Sequence, residues 1–184
     1  MDRAEIAAEL EWARTDFRGL LDAATTAELR AGTHGTKWSN EQLLFHMLFG
    51  YLLVHNLQPL VAVLTRLPHR VSKRFAAILN AGTRPFHVVN FVGSLGGARV
   101  LGYGGMEHLM DVVIRRLQRS VTQASDDALG RGMHFPTGWD PYFAEYMTVR
   151  EIFHYPTQHY EHHRCQLTLT SIAPTRPDWP DSEG

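Results

Sequence analysis

Histidine is the residue type in this chain with the clearest chemical potential, since 11 of the 184 residues are histidines. The run HYEHHRCQL places three of them at positions 159, 162 and 163, in what reads as the buried stripe of a helix. Side chains four residues apart lie one helical turn apart, so His159 and His163 can bind one ion together. His46, on the predicted inward face of another helix, would supply a third nitrogen from across a bundle. Three neutral histidines with one open position are typical of a catalytic metal site.

Other arrangements of these histidines remain open at the level of sequence. His162 lies about 60° around the helix from His159 and could replace His163 as the second ligand. The histidines could also be packed core residues that bind no metal. We favour a metal because several buried, unpaired imidazoles are costly and one shared cation would satisfy them together. Cys165 is interpreted as a packed or exposed thiol, and His154, on the face opposite His159, as a surface or interface residue.

Several other active-site classes lack a starting point in the sequence. A di-iron carboxylate site needs two Glu-x-x-His motifs, and only Glu151 to His154 matches. The chain contains no Gly-x-Ser-x-Gly elbow, no Walker loop and no glycine-rich dinucleotide fingerprint after a strand. A carboxylate-bridged di-iron enzyme, a serine hydrolase and a nucleotide-binding protein are therefore not indicated.

Composition and charge indicate a cytoplasmic protein. Lysine plus arginine (18) and aspartate plus glutamate (19) nearly cancel, so we expect neither nucleic acid nor membrane as a partner. The single cysteine excludes a disulfide within the chain and suits a reducing compartment. The N-terminus lacks the apolar run of a secretory signal, and the stretch LLFHMLFGYLLV is shorter than the ~20 residues that a membrane span requires.

Capping motifs predict where the helices that carry the histidines begin. Ser39 and Gln42 form a capping box and Trp38 with Leu43 a hydrophobic staple, so a helix should begin at Asn40. Its predicted inward stripe consists of Leu43, Met47, Gly50, Tyr51 and Val54, with His46 among them.

The other bundle helices follow from the same kind of pattern. The first runs from about Arg3 to about Ala24, and the third, from its apolar period, from about Gly105 to about Gln123. The fourth begins with a capping box of Thr148 and Glu151. Pro156 should remove one backbone hydrogen bond from it and bend it about a turn before His159.

The remaining segments are predicted to connect these helices. Residues 66–103 should form mainly a long crossover in which VSKRFAAILN is compatible with a helix, and DDALGRGMHFPTGWDPYF a loop. The crossover's basic residues are interpreted as solvated surface, with an anion-binding patch as the alternative: Arg66, Arg70, Lys73, Arg74, Arg84 and Arg99. We therefore predict an all-α, four-helix bundle over residues 1–172, with a long crossover between helices 2 and 3, and a flexible C-terminal tail over residues 173–184.

Two motifs resemble a known family. The run WSNEQLLFHM resembles the second-helix signature of the DinB/YfiT-like metalloenzymes, in which a tryptophan and a helix cap precede a histidine that follows two leucines. The run TQHYEHHRCQL resembles that family's fourth-helix signature, a histidine, two residues and then His-His-Arg-Gly-Gln. The resemblance implies that His46, His159 and His163 are metal ligands and that His162 is the adjacent non-ligand histidine. Cys165 occupies the place of the usual glycine.

The resemblance also implies an activity. Members of the family are similar to thiol S-transferases and isomerases that use mycothiol or bacillithiol, including a mycothiol-dependent maleylpyruvate isomerase. The implied cofactor is a divalent ion, with zinc or nickel expected ahead of iron or manganese, and the implied partners are a small thiol cosubstrate and an electrophile. The pocket would be lined by the crossover and by Trp139, Asp140 or Tyr155, near His162. The alternative is a non-catalytic metal-binding or stress-response protein. A homodimer through outer helix faces is also expected.

Overall fold

The computed structural model describes residues 1–170, and its secondary structure is almost entirely helical. In chain order the elements are α1 (Arg3–Ala23), α2 (Thr26–Arg30), α3 (Asn40–Leu64), α4 (His69–Ala81), α5 (Thr83–Gln123), α6 (Asp126–Gly130), β1 (Gly132–His134), β2 (Tyr146–Thr148) and α7 (Val149–Arg164). The long helices α1, α3, α5 and α7 form the bundle: α5 and α7 each pack against both α1 and α3. The predicted tail, residues 173–184, lies outside the described residues.

The predicted helix starts are confirmed by the hydrogen bonds at the caps. The Ser39 hydroxyl accepts a hydrogen bond from the backbone N–H of Gln42, whose side chain accepts one from the backbone N–H of Ser39. Thr148 and Glu151 form the same reciprocal pair at the start of α7. These caps are local in sequence, so they define where the two histidine-bearing helices begin without requiring a tertiary contact.

The crossover between the second and third bundle helices is itself mostly helical. Helix α4 is followed directly by α5, which begins at Thr83, well before the predicted start near Gly105. Gly102, with a φ of 60°, interrupts α5, and the predicted third helix corresponds to the part that follows this break. The earlier part forms despite its valines and glycines because its inner side packs against α3: a Cβ on Gly97 would overlap the ring of Phe45.

The segment predicted as a loop after α5 also contains regular structure. Helix α6 is followed by β1, which pairs antiparallel with β2 in the register Gly132↔Thr148, Met133↔Met147 and His134↔Tyr146. This hairpin was not predictable from periodicity because each strand has only three residues. The hairpin leads into the first turn of α7. The segment between the two strands, residues 135–145, therefore lies beside α7.

Helix α7 continues through Pro156, so the proline does not end the helix. Helix α3 likewise contains Pro59 and extends to Leu64. Its 25 residues are long and apolar enough to cross a membrane by length and composition, and it is the one such helix among residues 1–170. This is weak evidence for a span, because a core helix of a bundle meets the same criteria.

Candidate metal centre

The three predicted histidines meet between α3 and α7. The ring centroids are 4.8 Å apart for His46 and His159, 4.7 Å for His46 and His163, and 4.6 Å for His159 and His163. One ring nitrogen from each residue lies within 4.8 Å of those of the others. His46 and His159 are buried and His163 is half-buried. The structure therefore brings together an imidazole cluster that could hold a divalent metal ion.

His159 is held by a carboxylate from outside its own helix. Its Nδ1 donates to Oδ2 of Asp140 at 2.8 Å, and the Tyr155 hydroxyl donates to the same oxygen at 3.0 Å. The other nitrogen, Nε2, is buried and has no hydrogen-bond partner among residues 1–170. A carboxylate on the distal nitrogen is the usual second contact of a metal-binding histidine, and an unpartnered buried nitrogen is what a cation would satisfy. The side chains present thus fit a metal ion.

The Nδ1 atoms of the other two imidazoles also lie beside hydrogen-bonding side chains. His163 Nδ1 lies 2.7 Å from Oε1 of Gln166, and an amide oxygen only accepts, so this nitrogen carries the proton. The Ser94 hydroxyl donates to the carbonyl of Asn90 at 2.9 Å, and its oxygen lies 3.4 Å from His46 Nδ1. Ser94 therefore lies within reach of a hydrogen bond to Nδ1 of His46. His159 and His163 carry a proton on Nδ1 and keep the lone pair of Nε2.

Burial holds His46 and His163 in their neutral form. Burial, followed by the neighbouring His159 and His163, lowers the pKa of His46 to about 2. Burial, followed by His159, lowers the pKa of His163 to about 4. Neutral imidazole is the form that binds a cation, so at neutral pH these two residues need not lose a proton first.

Asp140 supplies negative charge to the site. Burial by itself would raise its pKa, but hydrogen bonds from His159, from the backbone N–H of Tyr142 and from Tyr155 lower it below the ordinary value. The same carboxylate, together with burial, raises the pKa of Tyr155 well above 10. The site therefore combines its imidazoles, two of which burial keeps neutral, with one ionised carboxylate and one neutral phenol.

Trp38, just before the cap of α3, and Gly50, within α3, shape the walls of the site. The Trp38 ring lies over His46 at a centroid distance of 4.4 Å, and its own contact with Phe91 continues this wall towards α5. On the other side, a Cβ added to Gly50 would lie 3.0 Å from Cδ2 of His159. Glycine at this position of the inward stripe therefore leaves the space that the imidazole fills.

A cavity of about 190 Å³ opens beside the histidines. Three of the predicted pocket residues, Trp139, Asp140 and Tyr155, line it, as do His46, His159 and His163. Its outer wall includes Phe86, whose ring stacks on Trp139 at 3.9 Å and 10° between planes. Another cavity, of about 210 Å³, lies at the far end of α3 and contains none of the clustered histidines.

Two side chains, His162 and His154, differ from what the sequence suggested, and Cys165 agrees with it. His162 does not line the cavity; its ring lies 5.7 Å from that of Tyr142 and 5.0 Å from that of His163. His154 is not a free surface residue, because its Nδ1 lies 2.8 Å from Oε2 of the buried Glu9. Cys165 is exposed, as one of the two expected outcomes.

Some residues that support the cluster were not apparent from the sequence. Ser94, which contacts His46, belongs to no motif, whereas Gln166, which contacts His163, is the glutamine of the recognised fourth-helix motif. Arg164, which follows the histidine pair, donates through Nε and Nη2 to both carboxylate oxygens of Asp16, at 2.8 and 2.9 Å. Tyr160 donates to the same carboxylate at 2.8 Å. The only sequence signal for Arg164 was its position directly after His163 in the recognised motif.

Fold and site together define a helical-bundle protein with a three-histidine candidate metal centre between two bundle helices. The DinB superfamily matches residues 9–167, and the chain belongs to this superfamily. The match extends from α1 to just beyond α7, so it includes every residue of the cluster. No curated protein and no solved structure matches the chain.

Proposed function

We propose that His46, His159 and His163 bind one divalent metal ion through their Nε2 atoms. The observation that carries this proposal is the buried Nε2 of His159, which has no hydrogen-bond partner in the described part of the chain, while Nδ1 of the same ring is held by Asp140. Imidazole ligands suit zinc, nickel and iron. We expect zinc or nickel ahead of iron or manganese.

We further propose that the metal centre serves a thiol-dependent S-transferase or isomerase. When bound, an open divalent ion supplies a site where a low-molecular-weight thiol such as mycothiol is held as its nucleophilic thiolate. Support comes from the cavity beside the histidines, since a metal site of purely structural role needs no adjoining space. Family membership and the predicted cytoplasmic location, where such thiols occur, point the same way.

The chain's own residues would position and shield the reactants. Phe86, Trp139 and Phe143 give the cavity an aromatic wall that favours an apolar, planar electrophile and excludes water. Asp140 keeps the proton of His159 on Nδ1, so that Nε2 faces the cluster. Tyr155 holds that carboxylate from the other side and keeps its own proton at neutral pH.

Elemental analysis of the purified chain tests the metal site. We expect about one divalent ion per chain in the wild type and none in a His46→Ala, His159→Ala double variant. His162→Gln is the matched control, because that ring is adjacent in sequence but lies outside the cavity. Absence of metal from the wild type after incubation with zinc, nickel, iron and manganese salts would overturn the proposal.

A turnover screen tests the activity separately. Metal-loaded and metal-free protein would be compared with mycothiol, bacillithiol and cysteine against an alkylating electrophile such as monobromobimane, and with mycothiol against maleylpyruvate. We expect thioether formation or isomerisation with one thiol, dependent on metal and lost in the double variant. Metal binding without turnover on any pair would favour a non-catalytic metal-binding protein.

A further inference from the structure

The outer side of the crossover helices is unusually apolar. Among residues 1–170, every exposed large hydrophobic side chain except Tyr146 lies between Leu60 and Tyr103. On the first part of α5, Val88 and Val92, one turn apart, are 62% and 56% exposed, and Val100 is 84% exposed. Single exposed apolar residues are ordinary, but a contiguous set marks an interaction surface.

These valines lie on the side of the helix that faces away from the bundle. Asn90, Ser94 and Ala98 lie on the opposite side and are buried or half-buried towards α3. An inward side that includes Asn90, Ser94 and Ala98, with valines on the outward side, departs from the usual pattern of a surface helix, whose outward side is polar. Burial in the described fold therefore does not explain the valines.

The same region is purely basic. From residue 42 to residue 106 the sequence contains no aspartate or glutamate, but it contains six lysines and arginines. At 100° per residue, Arg84 and Arg99 lie within about 40° of Val88 around the α5 axis. The outward side of α4 carries Arg70, Lys73 and Arg74, all exposed. The nearly balanced charge of the whole chain conceals this segregation.

None of these cations is neutralised by a carboxylate within residues 1–170. The ion pairs that arginines form in that part of the chain involve other arginines, in α1, in the second part of α5 and in α7. The exposed valines share one side of the first part of α5 with Arg84 and Arg99, and α4, which leads directly into this helix, adds the exposed Arg70, Lys73 and Arg74. We call the outward side chains of residues 70–78 and 84–100 the α4–α5 surface.

We propose that the α4–α5 surface docks on an anionic phospholipid bilayer. Helices that lie in a membrane interface combine an exposed apolar side with lysine and arginine, and each cation near an anionic leaflet adds attraction. A second copy of the chain is disfavoured as the occupant, because self-association would bring these arginines against one another with no acidic residue between 42 and 106 to offset them.

Docking in this way would place the candidate metal centre close to the bilayer. Phe86 and Asn90, on the inner side of the same helical segment, line the cavity beside the histidines. One helix, about 10–12 Å in diameter, would then separate the cavity from the lipid surface. This inference does not depend on the proposed activity, since it rests on the outer side of the segment.

Vesicle flotation of the full-length chain tests the proposal. We expect it to float with vesicles of phosphatidylcholine and phosphatidylglycerol (1:1) about ten-fold or more better than with phosphatidylcholine alone, and less well at high salt. Val88→Ser with Val92→Ser should weaken flotation about ten-fold, as should Arg70→Gln with Arg74→Gln. The matched control is Arg30→Gln with Arg119→Gln, two exposed arginines on other faces, and circular dichroism verifies that each variant is folded.

Three results would overturn the proposal. The first is absence of flotation with both kinds of vesicle at low salt. The second is an equal loss in the control variant, which would assign the effect to net charge alone. The third is a dimer in solution that the Val88→Ser, Val92→Ser variant abolishes without any vesicle binding, which would assign the surface to a second copy.

Discussion

Asp140 accepts a 2.8 Å hydrogen bond from Nδ1 of His159, although the two residues are 19 positions apart and belong to different elements. The carboxylate comes from the chain between β1 and β2, and the imidazole from the third turn of α7. This contact decides which nitrogen of His159 faces the cluster. It therefore links the hairpin, which has no chemistry of its own, to the candidate metal centre.

Replacing Asp140 by Asn should weaken metal binding about 10–100-fold, because a carboxylate that orients a ligating histidine contributes roughly that much to affinity. Asparagine has nearly the same shape, so the bundle should remain folded. Competition with a chelator measures the affinity, and Tyr155→Phe, which removes one hydrogen bond but keeps the charge, should have the smaller effect. Equal affinities for wild type and Asp140→Asn would contradict the assigned role.

A Gly50→Ala change should displace His159. The added Cβ would lie 3.0 Å from Cδ2 of the imidazole, so the ring must shift away from the position that Asp140 holds. We expect metal affinity to fall about ten-fold, comparable to the loss of an outer-shell contact.

Gly19→Ala provides the matched control for that substitution. It lies in α1, where a Cβ meets nothing within 4 Å. It should leave metal binding unchanged and raise the free energy of unfolding by about 0.5–1 kcal/mol, as glycine-to-alanine changes in exposed helices do. If both variants bound metal like the wild type, the close approach at Gly50 would have no functional consequence.

The stability of the metal-free protein should fall on acidification below about pH 6.5. The pKa of His46 is lowered to about 2 and that of His163 to about 4, whereas an unfolded histidine has a pKa near 6.5. Between pH 6.5 and 4 the unfolded chain therefore binds more protons than the folded one, and the free energy of unfolding decreases as pH falls.

Urea unfolding at pH 7.5 and pH 5.0 measures this effect. Each of the two histidines contributes up to about 1.4 kcal/mol per pH unit in that window, so a loss of roughly 2–4 kcal/mol is expected. In a His46→Gln, His163→Gln variant most of the pH dependence should disappear. A variant that kept the full dependence would assign it to other groups.

The contact between Arg164 and Asp16 should be important for stability rather than for metal binding. Both side chains are buried, and Arg164 binds both oxygens of the carboxylate. Arg164→Ala would leave Asp16 charged in the interior, which costs about 3–5 kcal/mol of unfolding free energy. Arg3→Ala, which breaks the exposed pair with Asp126, should change stability by less than about 1 kcal/mol. Denaturant unfolding compares the two, and similar losses would refute the distinction.

The features that could be predicted from the sequence are those that depend on neighbours along the chain. The capping boxes at Ser39 and Thr148 satisfy backbone N–H groups within three residues, so they define helix starts wherever the helix packs. The spacing of His159 and His163 likewise follows from one turn of helix. These local patterns, with the two motifs, were sufficient for the all-α bundle and for the three histidines that the fold brings together.

Only the tertiary structure decided how the site is completed and what surrounds it. Asp140, Ser94 and Gln166 orient the imidazoles from three different segments, and no spacing in the sequence relates Asp140 or Ser94 to the histidines. The helical crossover was underestimated because its valines and glycines have low helix propensity, which packing against α3 outweighs. Contacts of this kind join residues far apart in the chain, so their energies appear only once the helices have packed, and a linear pattern cannot express them.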